Sequence, residues 1–295
     1  MGKLIRCITS DGLITAAAID STDITAEAEK IHKTSAVITA ALGRTLTAAS
    51  LMGNMLKNES DSLTLKIDGG GPSGAIVAVS DSLGNVKGHA VNPRVEIPLK
   101  ENGKLDVSGA VGKDGTVYVI KDLGLKEPYN GFVPITSGEI AEDIAAYYAL
   151  SEQVPTVCAL GVLVNPDLTV KKSGGYIIQL LPAANGDEKI ISKLEENIRK
   201  MKPISELLNS GISIEEIVKI ALDGFEVEIL DTSNPVYKCG CSRERFKRAL
   251  KSLGKAQLSE FAEDKKDIET QCQFCNKTYS FSPEELEKII NSIKK

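Results

Sequence analysis

Four of the six cysteines of this 295-residue chain lie in one C-terminal stretch, and their spacing constrains the fold more than any other feature. Cys239 and Cys241 form a C-x-C pair, and Cys272 and Cys275 form a C-x-x-C pair. Two such pairs can supply the four thiolates of one tetrahedral zinc ion. The segment after Pro235 has few large apolar residues, so we expect the metal to replace a core. An iron–sulfur cluster is the alternative metal centre, although it usually uses a different cysteine spacing.

The sequence also indicates a protein of the reducing cytosol. Its first residues, MGKLIRCITSDG, contain no apolar signal-peptide core. The stretch from Ser35 to Leu56 is interrupted by Arg44 and Asn54, so we expect no membrane span. In the cytosol, paired cysteines bind metals or act in redox chemistry more often than they form structural disulfides. Cys7 and Cys158 have no second cysteine nearby, and we expect both to be small buried side chains.

Residues 1–184 alternate strand-like and helix-like patterns and predict a large α+β domain with mostly antiparallel sheet. KLIRCIT and LITAAAID flank a turn and indicate a β-hairpin. Thr22 to Lys33 and Ser35 to Lys57 show helical apolar spacing and begin at residues able to cap a helix. Five short runs then predict an antiparallel meander, namely SLTLKID, AIVAVSD, NVKGHAV, RVEIPL and TVYVIKDL. A helix capped by Ser137 and two buried strands, TVCALGVLV and GYIIQLLP, complete the domain.

Residues 185–235 form a separate region of charged helical segments. DEKIISKLEENIRKM, PISELLNSG and SIEEIVKIALDG are short and are interrupted by Pro203, Gly211 and Gly224. Helices of this length are not stable alone in water. We therefore predict a helical linker that folds only conditionally, followed by the zinc module at residues 236–295. A peripheral helical layer of the large domain is the alternative for this region, and the sequence leaves it open.

No motif in the sequence predicts an enzyme. Gly69, Gly71 and Gly74 match the dinucleotide fingerprint, but a β-branched strand pattern follows them where that site requires a helix. His32 and His89 lie in strand or helix patterns without an obvious catalytic partner. An oxidoreductase using CQFC is the enzymatic alternative, although no βαβ pattern follows that motif. We expect no catalytic residue and no cofactor other than the metal.

A basic segment, residues 238–255, begins at the first cysteine pair. This segment contains seven basic residues and a single acidic residue, Glu244. The basic residues are Lys238, Arg243, Arg245, Lys247, Arg248, Lys251 and Lys255. This charge can offset the roughly −2 charge of a zinc tetrathiolate, or it can contact phosphate. A zinc-ribbon nucleic-acid-binding protein is therefore the alternative function. We do not expect a nucleic-acid partner, because the net charge is −5, aromatic residues are scarce and the helix has Phe246, Leu250 and Leu253 on one side.

The whole chain resembles the 33-kilodalton heat-shock protein family of redox-regulated chaperones. The resemblance is carried by the two cysteine pairs with their 30-residue spacer and by GGGPSGA, SGEIAEDIAAYY and GGYIIQLLP. It implies one zinc ion held by Cys239, Cys241, Cys272 and Cys275 in the reduced protein. It also implies a holdase that needs no ATP and is inactive while reduced and zinc-bound. Oxidation would release zinc and form disulfides between Cys239 and Cys241 and between Cys272 and Cys275.

The resemblance further implies unfolded or partly unfolded client proteins as partners and a role in oxidative stress. We expect a homodimer as a form of the active protein, and no membrane partner. The local disulfide pairing agrees with polymer physics, because after zinc leaves the nearest cysteine has the highest effective concentration. Loss of zinc should unfold the module and loosen the linker. Leu207, Leu208, Ile217, Ile220 and Leu222 would then become accessible to clients.

Overall fold

The structure is a computed structural model that describes residues 2–184, 186–263 and 266–293. The chain divides into two compact units, Met1–Lys238 and Cys239–Lys295. The strands are β1 (Lys3–Thr9), β2 (Ile14–Asp20), β3 (Ser62–Asp68), β4 (Ile76–Asp81), β5 (Val86–Ala90), β6 (Thr116–Asp122), β7 (Tyr129–Pro134), β8 (Thr156–Val164), β9 (Val170–Leu180), β10 (Val227–Ser233), β11 (Ile268–Gln271) and β12 (Thr278–Phe281). The helices are α1 (Thr22–His32), α2 (Ala36–Asn54), α3 (Val107–Val111), α4 (Ala141–Tyr147), α5 (Glu188–Lys200), α6 (Ile204–Asn209), α7 (Ile214–Ala221), α8 (Arg243–Ser252), α9 (Lys255–Glu263) and α10 (Pro283–Asn291).

The larger unit contains two five-stranded antiparallel sheets with helices packed against them. The first sheet has the order β10-β1-β2-β9-β8, and the second has the order β5-β4-β3-β6-β7. The predicted hairpin is β1 and β2, paired from Lys3 with Asp20 to Ile8 with Thr15. The predicted α+β fold class is confirmed.

The predicted meander is only partly correct. β3, β4 and β5 follow one another, whereas β6 returns to the other side of β3 and β7 adds the last strand. The run RVEIPL, residues 94–99, is not a strand. Pro98 has no N–H to donate to a ladder, and the carbonyl of Val95 accepts a hydrogen bond from the Ser35 hydroxyl instead. Strand β7 was not predicted because Gly131 and Pro134 interrupt its strand pattern.

Helix α2 is the centre of the larger unit. It contacts strands of both sheets, and the first core cluster surrounds it with residues such as Ile38, Leu42 and Leu46. Within the described residues it is the helix long and apolar enough to cross a membrane, and 89% of that window is buried inside the protein. Its burial explains its composition, because an apolar helix packed on all sides needs no polar face.

Three predicted helix caps are wrong. The cap position of α1 is Ser21 and not Thr22, and Ser21 makes no side-chain cap bond. Ser35 precedes α2, but its hydroxyl donates to the Val95 carbonyl and makes no cap bond. α4 begins after Ile140, not after Ser137. The fully buried carboxylate of Asp143 accepts backbone N–H bonds from the turn before α4, including those of Ser137 at 2.9 Å and Ile140 at 2.9 Å. A charged carboxylate that accepts several N–H bonds stabilises this turn more than the single bond of a serine cap would.

Helices α6 and α7 lie on the first sheet, α5 packs on α7, and the three helices enclose a second core cluster. Successive side chains of β2 point to opposite faces of the first sheet and so belong to different clusters. Ala17 lies in the first cluster, and Ala16 and Ala18 lie in the second. Four of the five predicted client-contacting residues are buried here, namely Leu207, Leu208, Ile217 and Leu222. Ile220 is 43% exposed, so the prediction that it becomes accessible only on opening is wrong. Conditional folding of residues 185–235, and boundaries at 184 and 235, stay predictions.

In its described residues, 239–263 and 266–293, the smaller unit contains a β-hairpin and three helices. β11 and β12 pair in an antiparallel register from Ile268 with Phe281 to Gln271 with Thr278. α8, α9 and α10 enclose a small core of five buried side chains, namely Leu250, Leu258, Phe281, Leu286 and Ile289. Phe246 and Leu250 face this core as predicted, whereas Leu253 is 44% exposed.

Candidate metal centre

The four cysteines of the smaller unit converge on one point. The Sγ atoms of Cys239, Cys241, Cys272 and Cys275 all lie within 4.8 Å of one another. The Cys239 and Cys272 sulfurs are 3.7 Å apart, and the Cys241 and Cys275 sulfurs are 3.3 Å apart. Two segments separated by 30 residues of sequence therefore meet at a single cluster.

The first cysteine pair lies in the turn that precedes α8. Ser242 caps this helix, because its Oγ accepts the N–H of Arg245 at 3.3 Å. The Arg245 guanidinium reaches back and donates to the Gly240 carbonyl at 3.0 Å. The helix start thus fixes the backbone between Cys239 and Cys241 and directs both sulfurs to one side.

The second cysteine pair lies in the turn that joins β11 to β12. The N–H of Cys272 donates to the Lys277 carbonyl at 2.9 Å, and the N–H of Asn276 donates to the Cys272 carbonyl at 2.8 Å. Asn276 has a φ of 56°, a left-handed conformation that asparagine tolerates better than most residues. This tight turn places Cys272 and Cys275 next to each other, as metal-binding hairpins require.

Tyr279 is a polar neighbour of the cluster that was not predicted from the sequence. Its hydroxyl lies 3.2 Å from Cys241 Sγ, and its ring packs on Phe246 with centroids 4.9 Å apart. Burial opposes ionisation of Cys241, but hydrogen bonds from Tyr279 and the other cysteines outweigh it and lower the pKa of Cys241 to about 7. Burial raises the pKa of Cys275 to about 12. An aromatic residue four positions after a cysteine was the available sequence signal, but it is weak.

The donor set and the spacing fit a tetrahedral metal ion. A zinc tetrathiolate with Zn–S bonds of about 2.3 Å has sulfur–sulfur edges of about 3.8 Å. The sulfur–sulfur distances of 3.3 Å and 3.7 Å and the 4.8 Å limit on all pairs are close to this size. Four thiolates at such distances repel one another, so a divalent cation would stabilise them. The cluster can therefore hold a metal ion.

Two cations of the basic segment are engaged within the smaller unit. Arg243 donates to both carboxylate oxygens of Glu285, at 2.8 Å and 2.7 Å, and stacks 4.5 Å above the Phe281 ring. The Arg245 guanidinium donates a hydrogen bond to the Gly240 carbonyl. These contacts serve the local fold and leave fewer side chains for phosphate. The nucleic-acid alternative stays a prediction, which salt-dependent binding of RNA or DNA would test.

Cys7 and Cys158 belong to the larger unit and are not part of the four-cysteine cluster. Cys7 is buried in the second core cluster, and burial and the charge of Glu215 raise its pKa to about 11. Cys158 is partly buried against the first core cluster, and burial raises its pKa well above the usual range. Both thiols are therefore poor nucleophiles and poor metal ligands. Their predicted role as small buried side chains is confirmed for Cys7 and holds in part for Cys158.

Comparison with known proteins identifies the family. A family model described as Hsp33 protein matches residues 2–282 of this chain. The chain belongs to the Hsp33 family. The 33 kDa chaperonin of Clostridioides difficile is 51% identical over 98% of this chain and 99% of its own length. The 33 kDa chaperonin of Clostridium botulinum strain Eklund 17B is 47% identical over 99% of both chains.

Solved structures agree with this assignment. The crystal structure of the 33 kDa chaperonin (heat shock protein 33 homolog) of Thermotoga maritima has a TM-score of 0.88 and 36% sequence identity. The similarity covers 98% of this chain and 97% of that chain. The predicted family resemblance is confirmed, and this member of a chaperone family carries a cysteine cluster that can hold a metal ion. Client proteins are the partners that the family implies.

Proposed function

We propose that this protein is a redox-regulated holdase that needs no ATP and binds unfolding proteins after its cysteine cluster is oxidised. The observation that carries the proposal is the convergence of four sulfurs within 4.8 Å in a unit with only five buried apolar side chains in its described core. Such a unit depends on the cluster for its fold, so chemistry at the sulfurs controls the fold. Family membership supports the chaperone activity.

Zinc is the proposed metal, with Cys239, Cys241, Cys272 and Cys275 as its ligands. Four thiolates in tetrahedral arrangement are the donor set that structural zinc sites prefer. Bound zinc would join the turn before α8 to the β11–β12 hairpin and keep the sulfurs ionised. The proposed setting is the cytoplasm, where thiols stay reduced until an oxidant accumulates.

Hydrogen peroxide is the proposed oxidant. One sulfur attacks a peroxide oxygen, the O–O bond breaks, hydroxide leaves and the cysteine becomes a sulfenic acid. A second cysteine then attacks that sulfur, an S–S bond forms, and the sulfenic oxygen leaves as water after taking up a proton. Each disulfide consumes one peroxide and removes two electrons from two thiols. Two disulfides therefore consume two peroxides and abolish the ligand set.

The proposed disulfides join Cys239 to Cys241 and Cys272 to Cys275, as the family resemblance implies. The 3.7 Å and 3.3 Å sulfur contacts run across these pairs, so the folded cluster itself does not favour near-neighbour bonds. Near pairing requires that the unit opens first, after which the cysteine closest in sequence has the highest effective concentration. Peptide mapping after peroxide treatment distinguishes the two outcomes, and a dominant Cys241–Cys275 bond would contradict the proposed pairing.

The test of the function compares reduced and peroxide-treated protein. We expect about one zinc ion and four reactive thiols per reduced chain, and loss of both after peroxide. The oxidised protein should suppress aggregation of thermally unfolding citrate synthase without ATP, and the reduced protein should not. Cys7→Ser is the matched control, because it removes a thiol outside the cluster and should leave zinc content and switching unchanged. Equal suppression by reduced and oxidised protein would refute the proposed switch.

A further inference from the structure

The last residues of the larger unit extend one edge of the second sheet. The N–H of Val86 in β5 donates to the Val236 carbonyl at 3.0 Å, and the N–H of Lys238 donates to the Val86 carbonyl at 2.9 Å. Val86 and Tyr237 form a parallel bridge. We call residues 235–238 the latch. It pairs with the edge of β5 that faces away from β4.

Tyr237 completes the latch through its side chain. Its hydroxyl donates to the Gly88 carbonyl at 2.9 Å, accepts from the Gly88 N–H at 3.4 Å and lies 3.2 Å from His32 Nε2. Its ring packs against the first core cluster. The Tyr237 hydroxyl thus bonds the Gly88 backbone groups that the next residue pair of a longer strand would otherwise bond. As a result, all four polar backbone groups of Val86 and Gly88 on this edge are bonded by the latch.

The position of the latch links it to the cysteine cluster. Lys238 directly precedes Cys239, the first residue of the smaller unit. The latch is held by one backbone bridge and by the Tyr237 side chain, and each of these hydrogen bonds contributes little net free energy. Such a segment frays from its end when the following residues lose their fold. Unfolding after residue 238 would therefore release the latch from β5.

We infer that the β5 edge, once the latch leaves, binds an extended backbone segment of an unfolding client. The inference rests on the proposed function, which supplies that client. The latch indicates which segment can bind this edge. It runs parallel to β5 and places an aromatic side chain beside Gly88. Addition of a strand to a sheet edge is a general mode of peptide recognition in which backbone bonds supply affinity. Every unfolded chain presents such a backbone, so the site would bind clients of many sequences.

The opposite edge of the same sheet has features that discourage strand addition. β7 is preceded by Pro128 and ends with Pro134, and neither residue has an N–H to donate. β5, by contrast, contains no proline and is covered by the chain itself. The two edges therefore differ in how they avoid unwanted pairing. Only the covered edge can be uncovered, which makes it the one suited to regulated binding.

The experiment places a photo-crosslinker on each edge of the full-length protein. Benzoylphenylalanine replaces Lys87 in β5 or Asn130 in β7, and each protein is mixed with thermally unfolding citrate synthase before and after peroxide treatment. We expect crosslinks from position 87 only after oxidation, at about fivefold or more above position 130. If oxidised protein holds citrate synthase in solution but position 87 crosslinks no better than position 130, the edge inference is wrong and the proposed function stands. If citrate synthase aggregates despite oxidised protein, the proposed function fails and the inference fails with it.

A pair of tyrosine variants tests the latch itself. Tyr237→Phe keeps the ring but removes the hydroxyl bonds to Gly88, so amide exchange at Gly88 in the reduced protein should accelerate about tenfold. Tyr129→Phe is the control, because it removes a hydroxyl from the β7 edge, where it lies 3.3 Å from Ser151 Oγ. Unchanged exchange at Gly88 in Tyr237→Phe would show that the latch does not protect this edge.

Discussion

The two compact units differ mainly in how much apolar surface each one buries. In the described residues, the larger unit has core clusters of 34 and 18 buried side chains, whereas the smaller unit has five. A core of the first size can stabilise a domain without help, while a unit of 57 residues with five core side chains falls in the range that needs a metal or a disulfide. The core sizes therefore predict that the larger unit folds without help and that folding of the smaller unit depends on its cysteine cluster.

Polar contacts do not remove this difference. The smaller unit has a paired Arg243 and Glu285 and a Ser282 capping box at the start of α10. Ion pairs at the surface contribute little, and a cap contributes about 1 kcal/mol. These contacts shape the unit around the cysteines, but they cannot replace the cross-link that four sulfurs and a metal would provide.

The largest expected effect comes from removing one ligand. Cys272→Ser should abolish zinc retention and unfold the smaller unit, because structural zinc binding contributes about 10 to 16 kcal/mol of apparent free energy. Hydrogen exchange should become fast in β11, β12 and α8. Exchange in the strands around α2 should stay slow, since that core does not depend on the metal.

Cys158→Ser is the matched control for this prediction, and it should keep its zinc. Retention of zinc by Cys272→Ser would show that the ligand set is different. Fast exchange throughout the larger unit would show that the two units do not differ in the way their cores indicate.

A pair of core variants sharpens the comparison. Leu46→Ala in α2 should lower the free energy of unfolding of the larger unit by about 2 to 5 kcal/mol and leave zinc affinity unchanged. Leu258→Ala in α9 should act instead on zinc affinity, because our proposal couples folding of the smaller unit to metal binding. We expect its apparent zinc dissociation constant to rise by about 30-fold or more, measured by chelator competition. Equal zinc affinity in both variants would mean that the smaller unit folds without the metal.

Local pattern was sufficient to predict most elements of the larger unit. The hairpin, the helix at residues 36–54 and the strand after Gly74 follow from periodicity and turn residues, which act over a few positions. Elements that depend on distant partners were not predictable. Residues 94–99 alternate like a strand but find no partner, and β7 forms despite Pro134 because β6 lies beside it.

The same distinction applies to the metal centre. The cysteine spacing predicts that the four sulfurs lie close together, and they do in the fold. This was predictable because four ligands of one metal ion must lie within a few ångströms of one another. Tyr279 was missed, since its proximity to Cys241 depends on the register of β11 and β12 and on packing against Phe246. The bonding of Tyr237 to Gly88 joins residues 149 positions apart and has no local sequence signal.

A smaller effect is expected at Tyr279. Tyr279→Phe keeps the ring on Phe246 but removes the hydroxyl beside Cys241 Sγ. Partners of metal ligands typically change metal affinity by about 10- to 100-fold, and we expect the lower end for this partly buried hydroxyl. Chelator competition measures the change, with Tyr118→Phe in β6 as the control. Zinc affinity equal to that of the unaltered protein would exclude a role for this hydrogen bond.

The smallest effect concerns acid stability of the larger unit. The Glu152 carboxylate accepts the Tyr147 hydroxyl and lies 2.5 Å from Lys121 Nζ. Burial alone would raise the pKa of Glu152, but these partners outweigh it and hold the pKa below the usual 4.5. A lowered pKa stabilises the folded state above pH 4.5, and this stability is lost as pH falls through the folded value.

Glu152→Gln should therefore lower the unfolding free energy of the larger unit by about 1 kcal/mol at neutral pH, with the difference shrinking below about pH 4.5. Exchange of β6 amides as a function of pH follows the larger unit separately from any loss of metal. Glu196→Gln is the control, because Glu196 pairs with Lys200 on the surface of α5 and should contribute nothing measurable. A Glu152→Gln protein with unchanged stability at neutral pH would show that this partly buried contact is not needed by the larger unit.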